Sequence, residues 1–134
     1  MRKFYSFSLL MLLSMTLCGI VAVAQTVTVD NIVYNVYTHL GEANLTNGKS
    51  ATGNVVIPAE VEYEGKKYPV CNIGTSSFEN NTAITLVNIP ASVTYIYHYA
   101  FSGCTNLVSI TGGAETLNYM GRFVFNPNRS LGRK

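Results

Sequence analysis

Catalysis needs a nucleophile, a base or a set of metal ligands, and this chain of 134 residues holds few candidates. Its histidines are His39 and His98, its one aspartate is Asp30, and beyond residue 24 its cysteines are Cys71 and Cys104. A serine with a histidine and Asp30 could form an acyl-transfer triad. However, the Gly-x-Ser-x-Gly turn that exposes such a serine does not occur, nor does a phosphate-binding glycine loop, His-Glu-x-x-His or Cys-x-x-Cys. Cys71, Cys104, His39 and His98 also lack the short spacings from which zinc sites are built. The expectation is a chain that is not an enzyme, with no catalytic residue, no cofactor and no metal.

Recognition chemistry is better represented. Tyr95, Tyr97 and Tyr99 alternate about Ile96 and flank His98, and Tyr119 re-enters the column of Tyr95. A tyrosine carries a broad apolar face with a polar tip, which suits it to interfaces. The simpler role for these rings is an aromatic ladder between neighbouring segments, and the second is a contact surface for a partner.

What must position these residues is a repeat. Ile73, Phe78, Ile84 and Val87 recur as Ile96, Phe101, Leu107 and Ile110, each displaced by 23. After a slip of one residue near Gly112-Gly113, Met120, Phe125 and Leu131 continue the columns at a spacing of 24. A fixed period of this length is the signature of a solenoid. Within each unit Ile84–Ile89, and its copy Leu107–Thr111, alternates as a short strand does. Ser76–Asn80 and Tyr99–Gly103 read as a short helical or 3₁₀ turn that points Phe78 or Phe101 inward. One unit of this size cannot bury enough apolar surface to offset its own ordering, so successive coils must shield each other. Setting Ile57-Pro58 on Ile89-Pro90 makes Asn54, Leu86 and Ser109 one outward row and Val56, Asn88 and Thr111 another. These two rows are the second candidate contact face.

Upstream of the repeats, Val27–Val29 and Ile32–Tyr37 alternate around the turn pair Asp30-Asn31, the pattern of a β-hairpin. Residues 38–53 turn polar and read as a loop or weak strand with a turn at Asn47-Gly48. A second hairpin, Val61–Tyr63 with Lys66–Val70, turns at Glu64-Gly65 and is expected to cover the open end of the solenoid.

The first residues predict export. Met1-Arg2-Lys3 is followed by an apolar stretch and by Ala22-Val23-Ala24, which places signal cleavage between Ala24 and Gln25. A lipoprotein signal would acylate Cys18, but Leu17 stands where a small side chain is needed. After cleavage no stable membrane span is expected. The remaining acidic and basic residues balance, which gives no reason to expect nucleic acid as a partner.

The motifs resemble a known family. Val55–Val70 with Asn72-Ile73-Gly74 and Ser77-Phe78 looks like the lead-in segment of BspA-like leucine-rich repeats. The copies of Ala/Ser-Phe-x-x-Cys/Asn-x-x-Leu/Ile-x-x-Ile/Val, with Ile89-Pro90 and Ser92-Val93, look like its repeating unit. The resemblance covers roughly Val27 to Leu131. It implies a mainly β leucine-rich-repeat solenoid of about two full repeats and a partial one, behind an N-terminal β-hairpin cap. It also implies a bacterial secreted or cell-surface protein that binds a host or bacterial surface protein or glycan without catalysis. The chain departs from the family at Asn81 and Asn128, which replace the Cys seen at Cys104, and at Gly112-Gly113, which replaces Ile-Pro. Members also usually carry many more repeats, so the alternative is a truncated fragment of a longer adhesin with a structural role. The expected divisions are residues 1–24 as leader, 25–71 as cap and first coil, and repeats at 72–95, 96–119 and 120–134.

Overall fold

A computed structural model describes residues 6–7, 23–113 and 115–125. The leader reading rests mostly on residues outside these, as do Asn128 and Leu131 of the third repeat.

Val27, Val29, Ile32, Tyr34 and Val36 are all buried while their neighbours are not, the two-residue period of a strand with one wet face. They lie on β2 (Gln25–Val29) and β3 (Ile32–Tyr37), paired antiparallel. Asp30 and Asn31 join the two strands with φ of 51° and 62°. Both angles are left-handed, as a two-residue type I′ turn requires, and aspartate and asparagine tolerate that region. A short β1 (Ser6–Phe7) pairs with β2.

Residues 42–47, expected as loop or weak strand, form β4 (Glu42–Asn47), antiparallel to β3. Ala43 and Leu45 on it are fully buried. Local composition favoured a loop, but partners on both sides decide the matter, since β-propensity is mostly packing against neighbours. The other partner is β7 (Lys66–Ile73), and β4 lies parallel to its end. The pairing that covers the solenoid's open end in this sheet therefore comes from β2, β3 and β4. The second hairpin, β6 (Glu60–Tyr63) with β7, turns at Glu64-Gly65 as expected and packs beside β2.

From β4 onward the chain coils as a β-solenoid. One parallel sheet runs β4, β7, β9 (Tyr95–Ile96) and β11 (Tyr119–Met120), with Ile73 opposite Ile96 and Ile96 opposite Met120. A second runs β5 (Gly53–Val56), β8 (Ile84–Ile89) and β10 (Ser109–Gly112). In it Asn54 faces Leu86, which faces Ser109, and Val56 faces Asn88, which faces Thr111. Both outward rows keep the register set by the sequence period.

Ser76–Asn80 and Tyr99–Gly103 form turns and not a helix or 3₁₀ helix. Alternate N–H groups reach sideways to the next coil: Ser76 to His98 O, Phe78 to Ala100 O and Asn80 to Ser102 O, at 2.7–3.0 Å. Donors spent between coils cannot close a helix. The bend is made by a repeating left-handed residue, Ser76, Tyr99 and Phe123, with φ of 56°, 59° and 55°.

Phe78 and Phe101 are fully buried and stacked, with centroids 5.0 Å apart, and Phe125 continues the stack 5.8 Å beyond Phe101. At its N-terminal end the Phe78 ring lies on Gly48, where an added Cβ would come within 2.1 Å of it. Asn81, 5% exposed, then ties the loop after β4 to the second coil. Its Nδ2 donates to Gly48 O and Ala51 O, both at 2.9 Å, and its Oδ1 accepts from Ala83 N and Ile84 N.

One coil later the same column holds Cys104, fully buried, whose thiol donates to Phe78 O. Burial pushes the Cys104 thiol up to about 11 from its ordinary 9.0. Burial likewise raises the Tyr34 phenol above its ordinary 10.0, with a smaller contribution from Asp30. Both groups are neutral in the fold, so the stability they carry is intact below pH 9. That of Cys104 drains away as pH rises from 9 through 11, by about 3 kcal/mol, and that of Tyr34 begins to fall only above 10. Unfolding midpoints measured from pH 7 to 11 should fall steeply above 9. At pH 8 a maleimide should label half-exposed Cys71 at once and Cys104 only after unfolding; equal labelling of both would contradict this packing.

Candidate functional site

The residues singled out for catalysis do not converge. His39 sits exposed on the β3–β4 turn against the edge of Tyr37, and Asp30 sits at the tip of the first hairpin. Cys71 and Cys104 are both free. Among the described residues no three of His, Cys, Asp and Glu gather as metal ligands would.

The tyrosines do gather. Tyr95 and Tyr119 are opposite each other in the β9–β11 pairing, with rings 6.2 Å apart. Tyr97 closes the group, 6.4 Å from Tyr95 and 6.0 Å from Tyr119. All three are 39% exposed, so they form the cross-coil ladder and still present ring surface to solvent. His98 fixes the cluster to the backbone. Its Nδ1 accepts the Arg122 N–H at 2.8 Å, which assigns the proton of the neutral ring to Nε2, facing Tyr119 Oη at 3.3 Å.

Tyr99 joins a neighbouring pair instead. Its left-handed φ swings the ring away from Tyr97 to stack on Phe123, with centroids 5.5 Å apart and planes at 17°. Phe123, 52% exposed, belongs to this face and was not among the sequence candidates. The signal was present, since it lies one repeat beyond Tyr99 in the column that Ser76 begins. With Met120, 50% exposed, the aromatic face spans the last two described coils.

Leu86, Asn88, Ser109 and Thr111 lie on the other sheet, so the eight candidate contact residues fall on two faces. This second face is small and polar. Asn88 Nδ2 donates to Thr111 Oγ1 at 2.9 Å, Thr85 Oγ1 donates to Asn54 Oδ1 at 3.2 Å, and Leu86 is half-buried. It offers hydrogen-bonding groups that already bond one another across the strands, and no net charge.

Comparison with known proteins agrees with this architecture. Residues 68–133 match the BspA type leucine rich repeat region. A leucine-rich repeat protein from Bacteroides capillosus is 36% identical, with TM-score 0.59 and coverage of 64% of each chain. One from Bacteroides ovatus is 28% identical, with TM-score 0.67 over 79% of this chain and 28% of that one. A leucine rich cell surface protein from Faecalibacterium prausnitzii is also 28% identical, with TM-score 0.64 over 75% of this chain and 27% of that one. The chain thus spans under two-thirds of the first relative's length and little more than a quarter of the other two. No curated protein sequence matches. The parallel coils are the fold of these leucine-rich repeat proteins, and residues 68–133, just under half of the chain, carry the match to the BspA type.

Proposed function

We propose that the chain is an exported, surface-displayed binding module that holds a surface protein or glycan of host or bacterial origin on the aromatic face of its last coils. The observation that carries this reading is the backbone at Tyr99 and Phe123. A bulky side chain at positive φ costs roughly 1–2 kcal/mol over a glycine. Ser76 shows that a small residue serves the same corner. Two consecutive coils nonetheless place large, stacked, 41% and 52% exposed rings there, beside the Tyr95–Tyr97–Tyr119 cluster. Fold stability alone does not call for that, whereas a contact surface does: rigid aromatic rings dominate interface energetics and are flat enough to stack on sugar rings. The half-exposed His98 and the polar tips of the tyrosines supply the hydrogen bonds such a ligand needs.

The test compares the chain with its Tyr97→Ser/Tyr99→Ser variant on a glycan array and on immobilised host-cell and bacterial surface proteins. Ligands bound by the parent should lose about 30-fold in affinity, the scale of a truncated hot spot. The thermal midpoint should move only a few degrees, because serine at position 99 copies Ser76. Undiminished binding by the variant would remove the aromatic face from the account.

A further inference from the structure

The β5–β8–β10 sheet has an open edge at β5 that the cap does not cover. Strand N–H and C=O groups alternate in direction residue by residue. In β5 the N–H of Gly53 reaches Ala83 O at 2.9 Å, and beyond the strand Ile57 N–H reaches Asn88 O at 3.1 Å. Gly53, Val55 and Ile57 therefore face β8, and the backbone groups of Asn54 and Val56 face the other way. Among the described residues no strand lies on that side, since the order is β10-β8-β5. Instead the edge looks across a cleft of about 400 Å³ to the Asp30-Asn31 turn, with Ile32 and Thr52 also lining it. Val56 projects there 65% exposed, an apolar β-branched side chain left in water on an open edge.

We infer that this cleft is a docking site for an extended peptide segment, which adds to the sheet as a strand beside β5 and carries a lysine or arginine opposite Asp30. Strand addition is a standard mode of peptide recognition, in which an edge supplies backbone hydrogen bonds and alternate side chains supply selectivity. The volume lies at the low end of the roughly 300–1,000 Å³ usual for ligand sites. It suits one chain and not a whole coil. A second copy stacking end-on would meet β2 and β3, which extend the other sheet past β5 in antiparallel pairing. Asp30 is the one charged residue in the lining, which sets the sign of the ligand's matching side chain. The inference is independent of the aromatic face.

The probe is a phage-displayed random heptapeptide library panned against the full chain, with selected peptides remade and measured by calorimetry. They should alternate β-branched or aromatic residues with polar ones and contain a lysine or arginine. Val56→Pro removes the outward N–H and leaves every bond to β8 in place, as proline can on an edge. It should weaken these peptides about tenfold. Asp30→Asn keeps the left-handed turn and should cost about threefold. Methylating the peptide amides that face β5 should abolish binding to the unaltered chain, a readout that does not depend on either variant folding. Tyr97→Ser, on the other face, should leave the affinity for these peptides as it was. No enrichment of peptides, indifference to amide methylation, or a solution dimer of the chain that Val56→Pro converts to monomer would each overturn the inference.

Discussion

Phe101→Ala should abolish cooperative unfolding of this chain, or lower its midpoint by some 15–30 °C. The ring is fully buried between Phe78 at 5.0 Å and Phe125 at 5.8 Å, nearly parallel to both. Truncating a buried Phe costs about 3–5 kcal/mol, because the cavity it leaves collapses only partly. Each lost ring pair adds roughly another 0.5–1.5 kcal/mol. A domain of this size has only about 5–15 kcal/mol in total and shifts roughly 4–8 °C per kcal/mol. The position also has no redundancy, since in a solenoid each coil rests only on its neighbours. Phe101→Leu, which refills most of the volume, should recover more than half of the loss. Thermal and urea melts of the two variants decide the point, and a shift below 5 °C for alanine would show that the stack does not hold the coils together.

Asn81→Ala should be nearly as damaging, by about 2–4 kcal/mol, for a different reason. The side chain satisfies four backbone groups at once, two carbonyls of the Gly48–Ala51 loop and the amides of Ala83 and Ile84. Alanine removes that partner from all four, Gly48 O keeping its bond from the Ala51 amide and Ala83 lying at the surface, and an unmade buried hydrogen bond costs far more than a made one contributes. The column itself offers a graded control. Cys104 in the next coil holds one carbonyl, Phe78 O, through its thiol. Asn81→Cys should therefore retain one of the four bonds and lose less than alanine. Hydrogen exchange would separate the two effects, with the amides of Gly48, Ala51 and Gly53 opening first in Asn81→Ala. Uniform loss of protection across the chain would argue that Asn81 acts through global stability and not through the loop.

Much of this architecture was legible in the sequence because repetition amplifies a weak signal. Ile73, Phe78, Ile84 and Val87 recur in type and spacing, and their registers in the two parallel sheets follow directly. The Asp30-Asn31 hairpin was legible for a local reason, two residues that accept positive φ between alternating strands. What stayed hidden depends on non-local partners. Residues 42–47 are poor strand formers by composition and become β4 only because β3 and β7 flank them. The turn geometry at Ser76–Asn80 was hidden likewise, since the amides that would close a helix are engaged by the neighbouring coil.

The aromatic face was half legible. Alternation placed Tyr95, Tyr97 and Tyr99 on one side of a strand, and Tyr119 beside Tyr95, and the first, second and fourth of these do cluster. Tyr99 departs because β9 ends at Ile96 and the chain bends at a left-handed residue, which nothing in a tyrosine announces. Its partner Phe123 was then overlooked, although the repeat column contained it.

The reversal of strand direction between β4 and β3 also bears on how these molecules behave in a crowd. A repeat array with matching parallel edges at both ends is a monomer for polymerisation, since each end can seat on the next without ever closing a ring. Here β3 runs against β4 and β2 runs against β3, so on the cap side this sheet continues as a hairpin and not as a further parallel coil. A second molecule seated on that side of the sheet would meet a hairpin in place of a coil, so the side-chain columns of the two would not run on into each other.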